Sequence, residues 1–207
     1  MSVAPLSKQS TSGGGAEWPP SWRTMPHGIS VGRYIDPGFL RLEFDKLWTR
    51  TWQAAARLDE IPEAGDFTVY NIGDQSVLLV RADESTVKAY HNVCPHRGTA
   101  LGDGCGKFEN SQIMCPFHGW RWNLHGENQF VLERQEFRGG QLQNSDVALK
   151  QVKVAVWAGF VFINFDRNAQ PFEEFIAPVR DIVEGLAIKD MHHYWWKSIP
   201  VPANWKV

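Results

Sequence analysis

The chain alternates between apolar and polar residues in short runs over its middle part, which is the period of two that β-strands show. Turns containing Gly, Asp or Asn separate many of these runs, so neighbouring strands are expected to pair antiparallel. Such a pattern is typical of a mainly β domain, either an antiparallel sandwich or a small barrel. The runs predict strands at residues 67–72, 76–80, 86–91, 111–114, 120–123, 129–132, 152–157 and 161–165.

Two other segments repeat their apolar residues at helical spacing. The first begins near Asp36, which is a capping residue, and Pro37 suits the first helical position. The second covers residues 173–186. A further strand is predicted at 194–201. The first 32 residues are rich in Ser, Gly and Pro, which predicts a mobile N-terminal arm.

Composition narrows the class of protein. The 207 residues are 43% hydrophobic and 21% charged, which is typical of a globular chain and not of a disordered one. The net charge of −2 argues against binding nucleic acid through its phosphates. No apolar run is long enough to cross a membrane, and the N-terminus lacks the apolar core of a signal peptide. We therefore expect a cytoplasmic protein without a membrane or nucleic-acid partner.

Two segments combine cysteine with histidine, and each lies where a strand pattern breaks into a loop. One reads Cys94-x-His96 and the other Cys115-x2-His118, and a glycine follows soon after each histidine. If the loops face each other, two thiolates and two imidazoles surround a single site. Cys105 does not fit the spacing of either segment and is expected to be a spare thiol.

The ligand types leave more than one kind of site open. Two Cys and two His suit tetrahedral zinc, and they also suit a two-iron, two-sulfide cluster. Zinc sites usually pair like ligands within one segment, whereas each segment here carries one of each. The mixed pattern favours a cluster in which both thiolates reach one iron and both imidazoles reach the other. The remaining alternative is two buried free cysteines and two incidental histidines.

Both segments resemble the Rieske iron–sulfur motif. The sequence segments around Cys94 and Cys115 resemble those of the large (α) subunits of Rieske non-haem iron oxygenases, the aromatic-ring-hydroxylating dioxygenase family. The resemblance covers about residues 39–207. It implies a [2Fe-2S] cluster with Cys94 and Cys115 on one iron, and His96 and His118 on the other.

The resemblance also implies a fold and a domain organisation. We expect an antiparallel Rieske β-sandwich, together with an N-terminal helix and the start of an α+β catalytic domain. The predicted parts are a flexible arm at 1–35, a helix packing on the catalytic domain at 36–54, the Rieske domain at 55–168 and the truncated start of the catalytic domain at 169–207.

Members of this family hold a second, mononuclear Fe(II) by two histidines and one carboxylate. The family pattern there, Asp/Glu-x2-His-x4,5-His, is not found in this sequence. His192 and His193 are adjacent and would point to opposite faces of a strand, while His27 and His125 lack a suitably spaced partner. The chain is therefore expected to stop before the catalytic residues, so it would pass electrons without hydroxylating a substrate.

For the full protein, the resemblance implies NAD(P)H-derived electrons from a ferredoxin and/or flavin reductase. It further implies a homotrimer or an α3β3 assembly, and a small aromatic substrate, as in aromatic hydrocarbon catabolism; demethylation or amine oxidation is a related possibility. The alternative from another class is a stand-alone Rieske ferredoxin-type electron carrier. Such carriers consist almost entirely of the cluster domain, which disagrees with the long N-terminal extension and the helix after the last hairpin.

The resemblance separates this chain from respiratory Rieske proteins. Those proteins carry a disulfide between the two cluster loops, and Thr99 and Phe117 stand at the corresponding positions here. They also carry a serine that hydrogen-bonds a sulfide, where this chain has Trp120. Because fewer hydrogen bonds to the sulfurs lower the reduction potential, we expect a potential suited to a ferredoxin or flavin reductase and not to quinol.

Overall fold

The computed structural model describes residues 28–192, 194–195 and 197–206. In this part of the chain, short strands dominate and all of their pairings are antiparallel. The strands are β1 (Gln53–Arg57), β2 (Asp66–Ile72), β3 (Gln75–Arg81), β4 (Val87–His91), β5 (Cys105–Lys107), β6 (Gln112–Met114), β7 (Arg121–Asn123), β8 (Asn128–Phe130), β9 (Lys153–Trp157) and β10 (Phe160–Asn164).

The strands form three sheets, whose orders are β1–β10–β9, β4–β3–β2–β5 and β6–β7–β8. Strand β3 is buried on both faces, which explains its continuous apolar run. Its Leu78 and Val80 join a core with residues of β6 and β7, whereas Val77 and Leu79 join a second core with residues of β10. The four-stranded sheet thus lies between the other two, and the antiparallel sandwich that the sequence predicts is confirmed.

Each of the eight strands predicted from the alternating pattern has an observed counterpart. Strands β1 and β5, in contrast, are not predicted by this pattern. Strand β1 contains three consecutive alanines, which have low strand propensity, and its pairing with β10 holds it in place. Strand β5 is only three residues long, includes a glycine and pairs with the start of β2. In both cases a long-range partner decides the conformation, which the local pattern does not reveal.

Helices lie before and after the sheets. They are α1 (Gly32–Ile35), α2 (Pro37–Glu43), which continues as a π-helical turn (Phe44–Trp48), and α3 (Phe172–Glu184). The predicted cap is present, because the Gly38 N–H donates to Asp36 Oδ1 at 2.7 Å. The hydroxyl of Thr49 donates to the Phe44 carbonyl and closes the turn. The helical part therefore ends at Trp48, well before residue 54.

The strand predicted at 194–201 is wrong. The described residues there, 194, 195 and 197–201, have no strand conformation. Their apolar side chains are exposed, Tyr194 at 94% and Trp195 at 70%, and no strand of the described chain lies beside them to accept their backbone hydrogen bonds. The aromatic and β-branched residues of this segment favour a strand, but they do not form one without a strand to pair with.

The end of the described chain packs on helix α2. Lys206 Nζ lies 2.8 Å from one carboxylate oxygen of the buried Glu43 and 3.0 Å from the other. The indole N–H of Trp205 donates to the same carboxylate at 3.2 Å, and its ring meets that of Trp48 edge-on at 5.0 Å. The ammonium group also faces the ring of Phe39. Within the described residues, no helix is both long and apolar enough to cross a membrane.

The turn between β3 and β4 depends on one carboxylate. Asp83 Oδ1 accepts hydrogen bonds from the N–H groups of Ser85 and Thr86, at 2.9 and 2.8 Å, and from the Ser85 hydroxyl. The Ser85 N–H is the main cause that lowers the pKa of Asp83 to about 2. The ionised carboxylate therefore stabilises the folded turn.

We expect the Asp83→Asn protein to be less stable than wild type near pH 6, with the difference closing in acid. Because the folded pKa of Asp83 lies below its unfolded value, its contribution is complete above pH ~4 and disappears as the pH falls toward about 2. Melting temperatures of both proteins between pH 6 and pH 3 measure the difference. A gap that stays constant over this range would contradict the role of the charge.

Candidate metal centre

The first of the two cysteine–histidine segments forms a tight turn in the loop between β4 and β5. The N–H of Cys94 donates to the Thr99 carbonyl at 2.8 Å, and the N–H of Gly98 donates back to the Cys94 carbonyl at 2.9 Å. Gly98 has a φ of +78°, a left-handed conformation that side chains with a Cβ rarely adopt. The turn therefore requires glycine at this position.

The second segment repeats this turn between β6 and β7. The N–H of Cys115 donates to the Trp120 carbonyl at 2.8 Å, and the N–H of Gly119 donates to the Cys115 carbonyl at 3.0 Å. Gly119 has a φ of +65°. Two separate loops of the chain therefore adopt the same turn, and each carries one thiol and one imidazole.

The two thiols lie together in the interior. Cys94 and Cys115 are both buried and unpaired by a disulfide, and their side chains are within hydrogen-bonding reach of each other. Burial raises the pKa of Cys94 to about 11, while the backbone N–H of His96, which donates to the sulfur, acts in the opposite direction. An N–H group directed at this sulfur also suits a bound thiolate, because it stabilises negative charge there.

The two imidazoles lie beside each other and are partly buried. The ring centres of His96 and His118 are 4.7 Å apart, at an interplanar angle of 62°. The Nδ1 atoms of both rings are buried and make no hydrogen bond within the described chain. Burial is the main cause that lowers the pKa of His96, which favours the neutral, metal-binding form.

These donors suit a two-iron cluster. A buried nitrogen without a hydrogen-bond partner costs roughly 1–3 kcal/mol, and binding a metal ion would satisfy both of these atoms. Among the described residues, no three His, Cys, Asp or Glu side chains converge closely enough to hold one metal ion. A two-iron cluster needs two protein ligands at each iron, and two thiols and two imidazoles can supply them.

Aromatic side chains support the first histidine. The ring of Trp120 stacks on that of His96 with 4.6 Å between centres, and the Phe137 ring meets His96 edge-on at 5.6 Å. His118 instead contacts Phe117, which is 58% exposed. The sequence does not indicate Phe137, because it lies outside both motifs and in a stretch without clear periodicity.

Asn92 is a second residue that the motif does not indicate. This buried side chain closes the first loop: Oδ1 accepts from the N–H groups of Leu101 and Gly102 at 2.9 and 3.0 Å. Its amide group donates to the Gly102 carbonyl and to the Ser76 hydroxyl, so the loop is also tied to β3. All of the hydrogen-bonding capacity of this amide is used within the protein.

Asn92→Ala is expected to lower the free energy of unfolding by about 2–4 kcal/mol, because two N–H groups lose their acceptor in a buried place. Ser76→Ala is the matched control, since it removes a single hydrogen bond to Asn92 and is expected to cost about 1 kcal/mol or less. Thermal unfolding of both variants measures the difference. Equal shifts would show that Asn92 does not fix the loop.

The other residues considered from the sequence lie away from this centre. Cys105 is exposed on β5, and His91 lies on β4 against Phe165. His125 lies 4.0 Å from Asp83 in a different hairpin. The remaining considered histidines are His192, which is exposed, and His27 and His193, which lie outside the described residues.

Several known proteins are similar to this chain in sequence and fold. Residues 51–137 match the Rieske [2Fe-2S] domain family. The chloroplastic choline monooxygenase of Atriplex hortensis is 31% identical over 180 residues, which cover 84% of this chain and 40% of that protein. The quaternary ammonium Rieske monooxygenase CntA, solved with its substrate L-carnitine, has a TM-score of 0.76 at 27% identity, covering 83% of this chain and 48% of that one.

A naphthalene 1,2-dioxygenase structure also matches, with a TM-score of 0.65 at 27% identity over 72% of this chain and 33% of that chain. The chain thus spans less than half the length of each of these proteins. The expected aromatic substrate is contradicted by the choline and CntA proteins, which match more of this chain and are named for non-aromatic compounds.

The match extends beyond the Rieske domain. The similarity to choline monooxygenase covers 180 residues and 84% of this chain, whereas the domain match covers only residues 51–137. Segments flanking the domain are thus shared with oxygenases, which argues against a stand-alone ferredoxin-type carrier. With its paired loops and its similarity to oxygenases on both sides of them, the chain belongs to the Rieske non-haem iron oxygenase α-subunit family and represents the part that contains the [2Fe-2S] domain.

Proposed function

We propose that this chain is the electron-transfer part of an oxygenase α subunit, with Cys94 and Cys115 holding one iron of a [2Fe-2S] cluster and His96 and His118 holding the other. The observation that carries this proposal is the pair of buried, unpartnered Nδ1 atoms beside two buried thiols. When bound, the cluster supplies reversible transfer of one electron at a time.

The protein residues determine from which side a redox partner approaches. The thiols of Cys94 and Cys115 are almost completely buried, whereas His96 and His118 are only partly buried. Exposed Val93 and Phe117 lie beside the two ligand segments. A partner therefore approaches on the histidine side, where the protein layer is thinnest.

For the full-length protein, we propose an O2-dependent monooxygenase that acts on a quaternary ammonium compound. The names of the choline and CntA relatives support this substrate class. Its electron donor would be a ferredoxin and/or flavin reductase, and a mononuclear Fe(II) would be held outside this chain. We further propose a homotrimer or an α3β3 assembly in the cytoplasm.

We also propose that 36–54 packs on the catalytic domain, 55–168 is the Rieske domain and 169–207 starts the catalytic domain. The ion pair between Glu43 and Lys206 supports this division, because it joins helix α2 to the last described residues.

EPR spectroscopy of the anaerobically purified, dithionite-reduced protein tests the cluster. The anisotropic spectrum of a histidine-coordinated two-iron cluster is the expected result. A spectrum typical of four cysteine ligands would refute the assignment of His96 and His118. Colourless protein that contains zinc would refute electron transfer altogether.

The substrate class has its own test. The full-length α subunit, supplied with NADH and a reductase, is expected to consume O2 on addition of choline, glycine betaine or carnitine. Consumption with naphthalene and not with these quaternary ammonium compounds would overturn the proposed substrate class and leave the cluster assignment intact.

A further inference from the structure

Trp120 links the two loops of the metal centre. Its backbone belongs to the second loop, where its carbonyl accepts the N–H of Cys115 at 2.8 Å. Its side chain crosses to the first loop, where the indole ring stacks on His96 with 4.6 Å between centres and only 8° between planes. One buried residue thus contacts a proposed ligand of each iron, one through its main chain and one through its ring.

The stacked pair is held from a second direction. Phe137 meets the indole of Trp120 at 82° and the imidazole of His96 at 85°, with ring centres 5.3 and 5.6 Å away. Edge-to-face contacts of this kind favour one ring orientation. His96 is therefore restrained on its face and on its edge.

The two histidines differ in this respect. Among the described residues, His118 has ring contacts with His96 and with Phe117, whose side chain is 58% exposed. Trp120 is 2% exposed. The surroundings thus fix the plane of one imidazole with buried rings, while the other faces a solvent-exposed ring.

We propose that Trp120 is a positioning residue, which holds the His96 ring in its metal-binding orientation and excludes water from one side of the cluster. This inference rests on the proposed function. The imidazole plane determines the direction of the Nδ1 lone pair, so a rigid ring gives the iron one defined environment. The excluded water matters because the reduced cluster carries one more negative charge than the oxidised cluster, and water stabilises that charge.

Two effects are expected when the indole is replaced by a flexible side chain without a ring. In the Trp120→Met protein, His96 samples more orientations, so the EPR lines of the reduced cluster broaden. Water reaches the cluster, so its midpoint potential shifts upward. Trp120→Phe keeps a ring against His96, so its EPR lines are expected to stay nearly as narrow as those of the wild-type protein.

Trp122→Met is the matched control for a general loss of packing. Trp122 belongs to the same apolar core and is fully buried, but its indole N–H donates to the Val147 carbonyl and its ring has no described contact with either histidine. The control is expected to lower the melting temperature while the line width and potential stay at the wild-type values. The same changes in Trp122→Met as in Trp120→Met would overturn the proposal.

Phe137→Leu keeps the test decisive if Trp120→Met does not fold. Phe137 is only partly buried, so its replacement disturbs the core less. It is expected to broaden the lines and raise the potential to a smaller extent, and wild-type values for both would overturn the proposal. Absence of a Rieske spectrum in the wild-type protein refutes the proposed function itself, whereas a normal wild-type spectrum with unchanged variants refutes only the role of Trp120.

Discussion

The Cys94→Ser protein is expected to contain almost no [2Fe-2S] cluster. A serine hydroxyl stays protonated where a thiolate binds iron, and Cys115 is the only other buried cysteine among the described residues. The loss should leave iron and acid-labile sulfide at least about tenfold below wild type and abolish the EPR signal. Iron and sulfide analysis of anaerobically purified protein, followed by EPR, measures both quantities.

Cys105→Ser provides the matched control for this replacement. Cys105 is also a free cysteine, but its side chain is exposed on β5. This variant is expected to keep the wild-type iron content, spectrum and melting temperature. If Cys105→Ser lost the cluster while Cys94→Ser kept it, the proposed ligand set would be wrong.

The ligand-type residues could be predicted because they are coded locally. Cys94 and His96 lie within three residues of each other, as do Cys115 and His118 within four, and each segment ends in a glycine that its turn requires. The proximity of the two loops could only be expected, since it depends on the pairing of distant strands. The structure brings the imidazoles to 4.7 Å, which agrees with that expectation.

The residues that hold the cluster loops in place could not be predicted from the local sequence. Asn92 stabilises the first loop through contacts with residues nine and ten positions away, and Phe137 reaches His96 across 41 positions of the sequence. Strand β1 shows the same limit in the fold, because its alanines form a strand only beside β10. Local pattern thus predicts residues whose own backbone conformation is demanding, and misses residues whose role arises from tertiary contacts.

The second large effect is expected at a glycine in a turn of the third sheet. Gly126 lies in the turn between β7 and β8 with a φ of +81°. A Cβ at this position would lie 2.6 Å from Cε1 and 2.9 Å from Cζ of the Tyr90 ring. The ring cannot easily withdraw, because Tyr90 is fully buried and its hydroxyl donates to the Leu124 carbonyl at 2.9 Å.

Gly126→Ala is therefore expected to lower the free energy of unfolding by about 2–5 kcal/mol, which combines the left-handed backbone with overpacking against the ring. Gly104→Ala is the matched control. The φ of Gly104 is +58°, and no heavy atom lies within 4 Å of the added Cβ, apart from those of residue 104 and its two chain neighbours. The control bears only the backbone cost of about 1–2 kcal/mol. Since 1 kcal/mol shifts the melting temperature of a chain of this size by roughly 2–4 °C, thermal unfolding resolves the two variants. Equal shifts would mean that Tyr90 moves aside at little cost, and the close packing between the β7–β8 turn and β4 would then not be a rigid support for the second loop.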